Sequence, residues 1–101
     1  MHLHLINASI QIVPVVLDKH PYEWVDDAIS VIQRSGIKYE VGPFATVLEG
    51  TYEDVMKVIG DINEYLFQQG CAEWISNIQI QIRSTQDITS LEKTEKFQQH
   101  S

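Results

Sequence analysis

The segment Gly36-Ile37-Lys38-Tyr39-Glu40-Val41-Gly42-Pro43-Phe44-Ala45-Thr46-Val47-Leu48-Glu49-Gly50 limits the fold most tightly. Tyr39 and Val41 alternate with Lys38 and Glu40, the period of a strand with unlike faces. Gly42-Pro43 then breaks the strand, because proline fixes φ and removes an amide donor. Val47-Leu48 resumes strand-forming residues. The segment therefore reads as a hairpin. A helical pattern lies on each side of it, and a strand pattern lies towards each end of the chain. That order is β-α-β-β-α-β.

The flanking segments fill in this outline. The first strand is predicted from about Leu5 to Val16, with Ala8, Ile10 and Ile12 opposed to Asn7, Ser9 and Gln11. The last is predicted from Trp74 to Ser84, with Ile78, Ile80 and Ile82 opposed to Asn77, Gln79, Gln81 and Arg83. The first helix enters through Asp18-Lys19-His20-Pro21, carries Glu23, Asp26 and Asp27 at its positive end, and stops at Gly36. Its apolar stripe is read as Tyr22, Val25, Ala28, Ile29 and Ile32. The second helix starts at a Thr51 N-cap with Asp54 three residues on. Its stripe is Tyr52, Val55, Met56, Ile59, Ile62, Leu66 and Phe67. A brief helix is conceivable in the tail, along Ile88, Leu91 and Glu95. The expected fold class is α+β, a ferredoxin-like sandwich of two helices on one face of a four-stranded antiparallel sheet. One domain is expected over residues 1–101. Ile10, Ile12, Ile29, Ile32, Ile59, Ile80 and Ile82 should be buried between the layers.

The hairpin also resembles a family signature. The small thiamine-binding protein family has the general form G-[hydrophobic]-K-Y-E-[hydrophobic]-G-P-x-x-T-x-[hydrophobic]-E-G, followed by a helix with D-E/D-V-M. Here Gly36 to Gly50 follows that form, and Tyr52-Glu53-Asp54-Val55-Met56 continues it. The likeness covers nearly the whole chain and weakens at both ends. The sequence departs from the pattern at Pro14-Val15-Val16, where relatives often have Pro-Leu-Gly, and at Ala45, where glycine is frequent. The resemblance implies non-catalytic binding of thiamine or a related aminopyrimidine or thiazole metabolite by a homodimer or homotetramer, with ligand often near subunit contacts.

Composition narrows the alternatives. A net charge of −7 with only seven Lys and Arg disfavours nucleic acid, which needs clustered cations. Cys71 is the only cysteine, so neither an internal disulfide nor a cysteine-rich zinc site can form, in keeping with a reducing cytoplasm. No apolar run approaches membrane-spanning length, and the apolar start lacks the basic region of an export signal. His2 and His4 share a strand face, but no spacing supplies a third metal ligand. An acylphosphatase needs an arginine after the first strand, and Val15-Val16-Leu17-Asp18-Lys19-His20 offers none. No metal, cofactor or enzymatic activity is expected.

Thiamine joins a hydrogen-bonding aminopyrimidine to a cationic thiazolium, so a site needs amide or hydroxyl partners, a carboxylate and a flat apolar wall. Within the matching motif the candidates are Tyr39, Glu40, Thr46 and Glu49; Asn7, Ser9 and Gln11 on the first strand are complementary. Each also has an ordinary structural role: Glu40 as a partner of Lys38 or Arg83, Thr46 as a strand former, Tyr39 as core. Trp24 and Trp74 read as core or interface residues. The uncharged amides Asn7, Ser9, Gln11, Asn77, Gln79 and Gln81 should share the sheet's second face, which is expected to pack against another copy. The competing reading is a structural or regulatory assembly module with no physiological small ligand.

Overall fold

The structure, a computed structural model, describes residues 4–15 and 20–88. Strand β1 (Ile6–Pro14) leads to helix α1 (Pro21–Ser35), then β2 (Lys38–Val41), β3 (Thr46–Gly50), helix α2 (Tyr52–Gln68) and β4 (Trp74–Gln81). The strands form one antiparallel sheet in the order β2-β3-β1-β4. This is the expected ferredoxin-like arrangement. Both end strands are shorter than the sequence predicts. Val16 to Lys19, His2 and the tail beyond Ile88 lie outside the described residues.

Alternation along β1 separates the two faces. Ile6, Ala8, Ile10 and Ile12 join Leu48 of β3 and the apolar stripes of both helices in one core. Asn7, Ser9 and Gln11 turn to the open face. Register carries this division across the sheet, because directly opposed residues share a face. One open-face row runs Lys38, Glu49, Asn7, Gln81; the next runs Glu40, Val47, Ser9, Gln79. Asn77 follows opposite Gln11, and its amide donates to the Gln11 Oε1 at 3.3 Å.

The helix caps explain where the helices begin and end. His20 caps α1: its Nδ1 accepts from the Tyr22 amide at 3.2 Å, and its own amide donates to Glu23 at 3.2 Å. Gly36 ends α1 at φ 77, a conformation costly for residues with a Cβ. Thr51 caps α2 through its hydroxyl, which accepts from the Asp54 amide at 3.2 Å.

Several burial expectations need correction. Ile10, Ile12, Ile32 and Ile59 are buried as predicted. Ile80 lies on the helix side, opposite Ala8, yet it is 37% exposed, and Ile82 is 41% exposed just past the strand. The reason is strand order: β4 is an edge, so one flank of each side chain has no neighbouring strand. In α1 the buried stripe is Trp24, Ala28, Val31 and Ile32. The helix is rotated to bury the indole, which leaves Tyr22 exposed and Val25 and Ile29 half-buried. In α2, Met56 and Phe67 are exposed, while Val58 takes a core place.

Candidate functional site

The predicted site residues divide between the two sheet faces. Asn7, Ser9, Gln11, Glu40 and Glu49 belong to open-face rows, whereas Tyr39 and Thr46 lie in the opposite register, opposed to Leu48 and Ile10. No single cavity therefore gathers all seven.

On the open face, Glu49 is buried and its Oε2 lies 3.0 Å from the Lys38 ammonium. Lys38 thus pairs with Glu49, its cross-strand partner, rather than with Glu40. Beside it Asn7 is buried, and neither its side-chain oxygen nor its nitrogen has a hydrogen-bond partner. A buried amide left this way typically costs ~1–3 kcal/mol. The space bordered by Lys38, Tyr39, Glu40, Val47 and Glu49 measures only about 50 Å³. That is too small for a bicyclic metabolite.

The other face holds a larger space. Between the start of α1 and the β2–β3 turn, a cleft of about 440 Å³ opens at the end of the sheet. Ligand sites typically measure about 300–1,000 Å³ and are mostly apolar, with a few fixed polar groups. Here Tyr22, Val25 and Ile29 contribute from α1, and Val41 through Thr46 contribute the whole turn. Buried Ile10, Ile12, Ala28 and Ile32 line its depth. Thr46 is 6% exposed and sets a hydroxyl among these apolar groups. Gln11 also borders the cleft, but its side chain lies on the open face, where it accepts from Asn77, so Thr46 is the predicted site residue that turns its side chain this way.

The turn itself is held tightly. The Gly42 amide donates to the Ala45 carbonyl at 2.9 Å, and a Cβ on Gly42 would stand 2.9 Å from that same oxygen. The backbone closes on itself and projects Phe44 outward, 82% exposed. Tyr22, 73% exposed, also lines the cleft, and its ring stacks on His20 at 5.1 Å. These aromatics were not among the expected ligand-binding residues. A usable signal was present: an aromatic inside a four-residue turn has little chance of reaching the core.

Two other features bear on the chemistry. A groove of about 450 Å³ lies where the end of α1 meets α2, bordered by Arg34, Lys57, Asp54 and Asp61. Lys57 pairs with Asp61 at 2.8 Å, and Arg34 sits over the Tyr65 ring at 5.2 Å, so its cations are engaged within the protein. Among the described residues, no three His, Cys, Asp or Glu side chains converge as metal ligands, and no helix is long and apolar enough to cross a membrane.

Comparison with known proteins gives this geometry a context. A family model described as thiamine-binding protein matches residues 8–98, spanning every element from within β1 through β4. The UPF0045 protein CPE1503 of Clostridium perfringens is 35% identical over 91 residues, 90% of this chain and 95% of that protein. A solved domain of unknown function, DUF77, from Bacillus cereus shares 34% identity at a TM-score of 0.87, covering 94% of this chain and 91% of that one. A solved Thermotoga maritima protein, provisionally placed in thiamine biosynthesis or salvage, shares 34% identity at a TM-score of 0.83, covering 92% and 98%. By sequence and by fold together, the chain belongs to the thiamine-binding protein family.

Proposed function

We propose that this protein binds thiamine or a related aminopyrimidine or thiazole compound without converting it, as a homo-oligomer in the cytoplasm, with the ligand held in the cleft between α1 and the β2–β3 turn. One observation carries the placement: the turn of the family signature, Gly42-Pro43-Phe44-Ala45-Thr46, forms a wall of the mostly apolar cleft of about 440 Å³. The cleft supplies flat apolar surface for a heterocycle, the Tyr22 and Phe44 rings flank it, and Thr46 offers a buried hydroxyl to a ring nitrogen or amine. The net charge of −7 favours the approach of a cationic thiazolium. A single cysteine, Cys71, agrees with a reducing compartment.

Calorimetric titration with thiamine, its aminopyrimidine fragment and thiamine phosphates tests this reading. Thr46→Val should weaken binding by up to roughly tenfold, the worth of one neutral hydrogen bond. Val25→Phe, which fills the cleft, should weaken it further. Losses confined to Asn7→Ala and Glu49→Gln would move the ligand to the open face. No binding of any of these compounds at millimolar concentration would remove the proposal. Chromatography of thiamine after incubation with stoichiometric protein should recover it unchanged.

A further inference from the structure

Charge is graded along the length of the sheet. The cleft lies at the end where β1 finishes, since Ile12, Val13 and Pro14 border it together with Pro21 and Tyr22 at the start of α1. The Lys and Arg side chains among the described residues are Arg34, Lys38, Lys57 and Arg83, and all four lie towards the other end. Arg34 and Lys57 border the groove where α1 finishes. At a rise of about 1.5 Å per residue, Arg34 stands about 20 Å from the first turn of α1. Lys38 opposes Glu49, which opposes Asn7 near the start of β1. Arg83 comes two residues after Gln81, which also opposes Asn7. At the cleft end, α1 instead begins with Glu23, Asp26 and Asp27. No Lys, Arg, His, Asp or Glu lines the cleft itself.

The backbone at the mouth is closed to anions as well. The start of a helix offers unpaired amides, and phosphate binds readily to them. Here Pro21, in the first turn of α1, has no amide hydrogen. The Tyr22 amide donates to the His20 Nδ1 at 3.2 Å, and the Glu23 amide donates to the His20 carbonyl at 2.9 Å. The Glu23 carboxylate completes the cap by accepting from the His20 amide at 3.2 Å. A negative charge thus stands where an anion would otherwise be drawn by the helix dipole. Across the mouth, the Gly42 amide donates to the Ala45 carbonyl, and Pro43 has no amide hydrogen. The first three positions of α1 and the first two of the turn therefore hold no amide open to a phosphate.

We propose that the cleft rejects phosphate esters of its ligand, with His20, Pro21 and Glu23 as specificity-determining residues at its mouth. This rests on the cleft being the thiamine site, and it adds which members of that compound class the cleft turns away. A neutral or cationic heterocycle meets an apolar wall, the Thr46 hydroxyl and an acidic approach. A phosphate ester brings about two negative charges to the same mouth. It gives up hydration there without gaining a charged partner or an open backbone donor. Lys19, the basic residue next to His20 in sequence, follows Asp18, so that segment adds no net charge.

Calorimetric titration of the whole chain with thiamine, thiamine monophosphate and thiamine diphosphate tests this selectivity. The monophosphate should bind more weakly than thiamine by about tenfold or more, and the diphosphate no better than the monophosphate. Added salt should narrow the gap, because the repelling carboxylates are exposed to solvent. Glu23→Gln keeps an acceptor for the His20 amide and removes the charge, so the gap should shrink by about threefold. Asp26→Lys reverses an exposed charge one turn beyond Tyr22 and should raise monophosphate affinity by a similar factor, with circular dichroism unchanged. Lys57→Gln, at the far end of the molecule, should leave the gap as it is. A monophosphate bound as tightly as thiamine would overturn phosphate rejection and leave the cleft as the ligand site. A gap that neither Glu23→Gln nor Asp26→Lys changes would overturn the role given to this mouth. Absence of thiamine binding at millimolar concentration, or a thiamine affinity that Val25→Phe does not weaken, would instead remove the cleft as the thiamine site.

Discussion

β2 and β4 close opposite sides of the same sheet, yet they are built on different terms. β2 has four residues, includes Lys38 and Glu40, and runs directly into Gly42-Pro43. β4 has eight residues and no charge. The short strand is guarded against further pairing, and its Lys38 is occupied by Glu49 across the ladder. The long strand has no such guard, and the helix beside it presents Phe67 and Met56 on the same flank. The difference teaches that a sheet edge is a chemical choice rather than a leftover. One end of this sheet ends pairing, and it carries the turn that walls the cleft. The other end is open to pairing.

Substitutions can break or sharpen this contrast. The largest stability effect is expected in the interior between the two edges. Leu48→Ala removes a fully buried side chain and should cost about 2–5 kcal/mol by denaturant titration. Ile80→Ala should cost less, about 1–2 kcal/mol at dilutions where the chain is monomeric, because the side chain is already more than a third exposed. A cost for Ile80→Ala that rises with protein concentration towards the Leu48 value would show that association covers this edge. At the guarded edge, Gly42→Ala must displace the turn backbone and should cost about 1–3 kcal/mol, with loss of thiamine affinity if the turn walls the ligand. Lys38→Met leaves Glu49 buried beside a neutral side chain and should cost about 1–2 kcal/mol. Smallest in stability, Lys38→Val with Glu40→Val should leave the melting temperature of freshly diluted protein within a few degrees. Light scattering should nevertheless show new association, because the charges that guard β2 are gone.

Much of this architecture could be read from alternation and punctuation. Period-two patterns in β1 and β4, the Gly-Pro turn and the two helical stretches are local, and each is recovered in the structure, with shorter end strands and shifted helix stripes. The parity of the candidate site was legible by the same logic: Lys38 and Glu40 had to oppose Tyr39 and Val41. Strand order was less accessible at the level of single side chains. Ile80 has the same pattern as Ile10, and only the placement of β4 outside β1 makes one exposed and the other buried. The cleft was hidden for a related reason. The rotation of α1 depends on where Trp24 packs, and that rotation frees Tyr22, Val25 and Ile29 to line the cleft. Lys38 chose Glu49 over Glu40 because cross-strand register sets them opposite, a relation that sequence neighbours do not reveal.

The central position of β1 has a kinetic consequence. β1 is the first strand of the chain, yet its outer partner is the last, and the hydrogen bond between Asn77 and Gln11 joins residues 66 positions apart. The hairpin and both helices depend on near contacts and can assemble early. Closing β4 onto β1 must wait until nearly the whole chain exists, and long-range pairing of this kind slows folding. Until then one side of β1, with Ile10 and Ile12, stands as a vacant edge during synthesis. A β4 strand from a neighbouring chain fits that vacancy as well as the chain's own does. Refolding at high protein concentration should therefore trap strand-exchanged dimers that dissociate slowly on dilution, whereas refolding at nanomolar concentration should not.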